Sequence, residues 1–202
     1  MNIVDVIIRL AILLFSVIIH EVMHGLVAER LGDDTAREEG RITLNPIPHI
    51  DPFGSILLPF LLMTVGSPII FGAAKPVPVD FSRLKPRRWG MTLVSLAGPL
   101  SNLGLAILFI IPLKLGLTNA ISGPILVQAA IINLVLAVFN SLPIPPLDGS
   151  KVVASLLPEQ AMETILSWER YGFILIFALL YIGVLDRVLN PILTLFFRVI
   201  NL

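Results

Sequence analysis

Five stretches of this chain, near residues 3–28, 54–74, 89–113, 124–143 and 171–185, are almost free of Lys, Arg, Asp and Glu. A bilayer core about 30 Å thick is crossed by roughly 20 apolar helical residues, so several of these stretches are long enough to span it. Charged residues make up 14% of the chain, against about 25% in ordinary soluble domains. The pattern predicts an all-α polytopic protein of about five to six membrane helices or segments, with the lipid bilayer as its solvent. The first stretch lacks a cationic start and a small-residue cleavage site, so it reads as a retained helix rather than a leader. Formal net charge is zero, which gives no basic surface for nucleic acid. Cysteine is absent, and disulfides, thiol catalysis and cysteine-based metal sites go with it.

Between the spans, prolines and glycines set the local structure. Gly32 follows Glu29-Arg30-Leu31 and suits a helix C-terminus, and a charged stretch runs from Asp33 to Arg41. Residues 41–54 mix β-branched residues with prolines and predict short strand and turn. Residues 54–74 are apolar but broken by Pro59, Gly66, Pro68 and Gly72, which predicts a re-entrant element, with a kinked span as the alternative. Lys75-Pro-Val-Pro-Val79 is expected to be extended, because each proline pushes its predecessor out of the helical region. After the span at 124–142, three prolines in Pro143-Ile-Pro-Pro146 unwind the backbone. A helix is expected to restart near Asp148, followed by a surface helix at 159–170.

The sharpest local signal is His20-Glu21-Val-Met-His24. Residues four apart lie on one face of a helix, so both imidazoles can reach one ion. Glu21 projects about 100° round the helix, where a carboxylate can hold the water that such an ion activates. Ionisable residues inside an apolar span are expensive and default to a functional reading; the bland reading is a pair of satisfied buried histidines. A catalytic zinc site takes three protein ligands and leaves a position open for water. Without cysteine, the third ligand is His49 or a carboxylate. Asp148 is the better candidate, since it follows the proline break in a loop free to turn inward; its bland reading is an N-terminal helix cap. His49 reads as a surface or gate residue in a polar loop.

These motifs resemble the site-2 protease family of intramembrane metalloproteases. His20-Glu21-X-X-His24 matches the family's zinc motif, Ala97-Gly-Pro-Leu-Ser-Asn102 its small-residue signature, and Asn140 through Asp148-Gly149 its third-ligand motif. Pro-Pro-Leu-Asp-Gly stands where the family commonly has Asn-X-Asp-Gly. The resemblance covers roughly residues 10–157. It implies one Zn2+ ion held by His20, His24 and Asp148, with Glu21 as catalytic base, in an enzyme that cleaves transmembrane protein or peptide substrates near the bilayer. It also implies one domain over residues 1–202, with the catalytic core at about 10–157 and further membrane segments at 159–202. With no room for a PDZ or CBS domain in 202 residues, the expectation is a minimal form of the family.

Asn140 could donate a hydrogen bond to the substrate or to the developing oxyanion, and its bland reading is an interhelical bond. Asn102 carries the same two readings, while Gly98 and Gly104 read as sites of close helix approach. Charge places the active site. Loops 29–53, 75–88 and 145–170 hold ten Lys and Arg, which marks the cytoplasmic side. The expectation is a multi-pass plasma-membrane protein with its metal nearer the cytoplasm. Two other function classes compete: a transporter, since buried ionisable residues and broken helices also mark ion pathways, and a catalytically idle zinc-binding protein.

Overall fold

The computed structural model describes residues 3–51, 57, 64 and 74–200. Its elements in order are α1 (Ile3–Arg30), α2 (Thr35–Glu38), a 3-10 turn at Ile47–His49, α3 (Arg87–Lys114), α4 (Ser122–Asn140), α5 (Asp148–Leu156), α6 (Glu159–Ser167), a 3-10 turn at Trp168–Tyr171, α7 (Gly172–Tyr181) and α8 (Val184–Ile200). Among the described residues, three helices are long and apolar enough to cross a membrane, namely α1, α3 and α4. The expected span at 171–185 is a ten-residue helix that ends before Gly183, whose φ is +69°. At about 1.5 Å per residue it covers roughly half a bilayer core.

α1 ends as its sequence predicts. Gly32 takes the left-handed conformation (φ 98°), Asp33 N–H donates to Ala28 O at 3.0 Å and Gly32 N–H to Glu29 O at 3.1 Å. This is the paired Schellman pattern, which satisfies the last carbonyls of the helix.

Small residues let the helices approach. Ala28, Ala97, Ala106, Ala129, Ala130, Ala137 and Ala154 are all buried, and among the largest fully buried side chains are His49, Asn102, Asn133, Asp33, Ser95 and Ser150. Large apolar side chains point outward instead, with Ile3 and Leu117 each 73% exposed. In water such a surface would aggregate. In lipid, where burying leucine gains nothing, close backbone packing and interhelical hydrogen bonds hold the helices together.

The position of α3 between its neighbours fixes the topology, since it packs on α1, α4 and α5. The C-terminal end of α1 meets the N-terminal end of α3 through Lys85 N–H, which donates to Leu31 O at 2.9 Å. The residue 54–74 element falls, apart from isolated positions, outside the described residues. Its flanks do not: Lys75 N–H donates to His49 O at 2.9 Å, so the chain leaves and returns at one place.

The short strand expected within 41–54 does not form over residues 41–51, and no strand occurs among the described residues. Prolines 46, 48, 76 and 78 carry no N–H to give to a ladder. Side chains hold the segment instead: Arg41 Nη2 donates to Lys75 O at 2.8 Å and to Pro76 O at 3.1 Å. Asp33 is fully buried and accepts from Asp80 N–H at 2.7 Å and Thr35 N–H at 3.1 Å. Residues 74–80 thus form a strap tied across the end of α1.

Candidate metal centre

His20 and His24 lie on the buried face of α1 one turn apart, their rings 4.8 Å between centroids and nearly perpendicular at 80°. Asp148, the first residue of α5, enters from the other side. Its Oδ2 lies 3.0 Å from His20 Nε2 and 3.2 Å from His24 Nε2. All three residues are buried. The break at residues 143–146 makes this possible by ending α4 and letting the chain restart a helix inside the bundle. Gly149 is required at that restart: a Cβ there would lie 2.2 Å from Ser141 O and 2.5 Å from Leu142 O.

Hydrogen bonds on the far side of each ring set the tautomers. His20 Nδ1–H donates to Asn102 Oδ1 at 2.6 Å and His24 Nδ1–H to Val94 O at 2.7 Å. Those acceptors take the proton on Nδ1, which leaves an Nε2 lone pair on each ring facing Asp148. Two imidazole lone pairs and a carboxylate oxygen therefore converge with no proton of their own to share. A cation satisfies that arrangement, and the chemistry of the donor set, two nitrogens and one oxygen, suits zinc. Ligand atoms about 2.1 Å from a tetrahedral ion lie roughly 3.4 Å from each other, close to the spacing found here.

Gly98 supplies the space. A Cβ added there would lie 2.4 Å from His24 Nε2 and 2.5 Å from His20 Nε2, in the volume an ion bound to both would need. Gly104, which the sequence suggested as a second point of close helix approach, has nothing within 4 Å of such a Cβ. The Ala97–Asn102 motif thus divides its work between room at Gly98 and orientation at Asn102.

Asn102 is fully buried and tied onward. Its Nδ2 donates to Asn133 Oδ1 at 2.9 Å and to Ser16 O at 3.2 Å, while Asn133 Nδ2 donates to Ser16 Oγ at 2.9 Å. The network joins α1, α3 and α4 behind His20. Of this amide pair, the sequence motif pointed to Asn102 and not to Asn133. The available signal was an amide residue inside each of two apolar spans, a pattern typical of interhelical hydrogen bonding. Partners behind a metal-binding histidine typically tune affinity 10- to 100-fold. Asn102→Ala is accordingly expected to weaken metal affinity by roughly that factor, as competition against a chelating dye would show.

Glu21 sits beside the cluster on α1, half-buried, and its Oε2 accepts from Val77 N–H at 2.8 Å. The strap therefore orients the carboxylate. Asn140 is not brought into the cluster, because its Nδ2 donates to Leu136 O at 3.0 Å, one turn back in α4. His49 is no surface residue. It is 1% exposed, its Nε2–H donates to Thr43 O at 2.9 Å, and it supports the start of the strap.

A protein of Bacillus subtilis (strain 168) named "Putative zinc metalloprotease YwhC" is 40% identical to this chain over 192 residues, covering 90% of the chain and 83% of that protein. The chain belongs to peptidase family M50, the site-2 proteases. The M50 family model itself, described as Peptidase family M50, matches residues 116–182, which include Asp148. "Putative zinc metalloprotease Rip2" of Mycolicibacterium smegmatis (strain ATCC 700084 / mc(2)155) is 30% identical over 181 residues, 86% of this M50 chain and 66% of that protein. "Putative zinc metalloprotease MJ0611" of Methanocaldococcus jannaschii is 36% identical over 137 residues, 67% of the chain and 63% of that protein. No solved structure matches the chain significantly.

Proposed function

We propose that this M50 protein is an intramembrane zinc metallopeptidase that hydrolyses peptide bonds in or near the transmembrane helices of membrane proteins. The observation that carries the reading is the buried convergence of His20 Nε2, His24 Nε2 and Asp148 Oδ2, with both Nδ1 protons already committed. Bound there, a zinc ion supplies Lewis acidity that polarises the scissile carbonyl and lowers the pKa of its water toward about 7. Glu21, oriented by Val77 N–H, takes the proton of the attacking water and returns it to the leaving amine, acting first as base and then as acid. His20, His24 and Asp148 hold the ion, while Asn102 and Val94 O keep the rings turned toward it. Asn140 can serve the substrate carbonyl only by releasing Leu136 O.

The apolar surface of α1, α3 and α4 supports an integral membrane protein, and family membership supports a multi-pass one. The ten Lys and Arg in the loops around the metal favour a plasma-membrane orientation with the site nearer the cytoplasm. The membrane count of five to six segments requires α7, α8 and residues 54–74 to contribute. A transport reading gains nothing from the strap's hold on Glu21, whereas a hydrolase needs that carboxylate fixed.

Chelation tests the proposal. Purified protein should cleave a synthetic single-span peptide, lose that activity after dialysis against a zinc chelator, and recover it when about one equivalent of Zn2+ is returned. Metal-independent cleavage, or ion flux in proteoliposomes without any cleavage, would sink the reading.

A further inference from the structure

Beside the metal centre, between α3, α5 and the 141–143 turn, lies a half-open cavity of about 240 Å3. Its walls are mostly apolar, formed by Leu96, Pro99, Pro143, Val152 and Val153. A cavity of about 150 Å3 holds benzene, so this one has room for a leucine- or phenylalanine-sized side chain. Its wall residues interleave with the centre itself: Pro99 follows Gly98 on α3, and Gly149, also in the wall, follows Asp148 on α5. On a helix, positions 95 and 99 form the row next to 94, 98 and 102, which is the row that faces the histidines.

One wall residue is anomalous. Ser95 is 1% exposed, yet its hydroxyl has no hydrogen-bond partner. Other helical hydroxyls close on their own helix: Ser101 Oγ donates to Gly98 O at 2.7 Å, Thr164 Oγ1 to Gln160 O at 2.7 Å and Thr194 Oγ1 to Asn190 O at 2.8 Å. Ser141, in the same cavity wall, donates to Ala137 O at 2.7 Å. A buried hydroxyl left without a partner is destabilising, and such groups in native folds call for an explanation. A substrate supplies one. A transmembrane segment must unwind before it is cut, and each carbonyl so released needs a new donor where water is scarce.

Resting on the proteolytic reading above, we propose that this cavity is a substrate pocket: it takes one aliphatic or aromatic side chain next to the cleaved bond, and Ser95 Oγ–H donates to a backbone carbonyl of the unwound substrate. Neither the metal nor the strap at 74–80 contributes to it. Side-chain preference at one substrate position is therefore set by Leu96, Pro99, Val152 and Val153.

The test separates the pocket from the chemistry. Single-span peptides carrying photo-leucine at each apolar position in turn are cross-linked to the Glu21→Gln protein, which binds without turning over. One position should label the fragments holding residues 95–99 and 149–153, whether or not the wild type proves to be a protease. Label landing elsewhere from every position, as a lipid-filled cavity would give, overturns the pocket. In the active protein, Val153→Phe narrows the cavity, and the preference for leucine over alanine at the labelled position should fall about 10-fold or more. Ser95→Ala should reduce kcat/KM roughly 3- to 10-fold with zinc content unchanged. Unaltered selectivity in Val153→Phe, with leucine and alanine substrates slowed equally or not at all, also overturns it. Absence of wild-type cleavage removes the proteolytic reading and leaves the labelling result to decide the pocket.

Discussion

Glu21→Gln is expected to reduce peptide cleavage about a thousandfold, within the 10²- to 10⁴-fold range of general acid–base catalysis, while zinc content stays at the wild-type level. The separation follows from geometry. The three atoms placed to hold an ion belong to His20, His24 and Asp148, so an amide at position 21 takes nothing from that proposed set. Glutamine keeps the volume of the side chain and an oxygen able to accept from Val77 N–H, which donates to Glu21 at 2.8 Å in the structure. The strap therefore stays tied. What is lost is the capacity to accept and return a proton. Cleavage of a single-span peptide, measured beside zinc content on the same preparation, checks both halves. Equal rates in the two proteins would remove Glu21 from the chemistry. Loss of zinc along with activity would show that the carboxylate holds the metal, contrary to the arrangement described here.

The second large effect is expected at a residue that carries no chemistry of its own. Gly98→Ala should leave the protein folded but almost metal-free and inactive. The added methyl would stand 2.4 Å from His24 Nε2 and 2.5 Å from His20 Nε2, inside the space that Zn–N bonds of about 2.0–2.1 Å require. The rings have little freedom to retreat, since Asn102 Oδ1 and Val94 O hold them from behind. Gly104→Ala on the same helix is the control. Nothing lies within 4 Å of its Cβ, and replacing a helical glycine by alanine stabilises by up to about 1 kcal/mol. Zinc per protein, measured for both variants by elemental analysis, should fall below a tenth of wild type in the first and stay unchanged in the second (by the steepness of steric overlap in a packed site). Normal zinc in Gly98→Ala would mean that the ion is held away from α3.

Much of this was readable from residue order because the rules involved are local. A helix repeats every 3.6 residues, so His20 and His24 had to share a face once the apolar run around them was helical. Gly32 was legible as a helix end, and Pro143, Pro145 and Pro146 as a break, because both act on their own backbone. Asp148 could be singled out by its place after that break. The same local logic failed for the short strand expected within 41–54. A β-branched, proline-spaced segment reads as strand, but a strand also needs a partner with N–H groups to exchange, and the backbone groups of 75–77 beside it are taken by Arg41, Glu21 and His49.

The sequence by itself determined the apolar helices, their ends and the pairing of the two histidines, since each depends on residues within a few turns of one another. Tertiary structure alone decided that Asp148, 128 positions after His20, reaches the same point in space, and that Asn102, 82 positions away, turns the ring toward it. It also decided that Gly98 is the void in which an ion fits, that His49 is buried, and that the strap's amide holds Glu21. For Asp148, Asn102 and Gly98 the partner lies on another helix. Which side chains meet there depends on how closely the small residues of α1, α3 and α4 let the helices approach, and no local period encodes that distance.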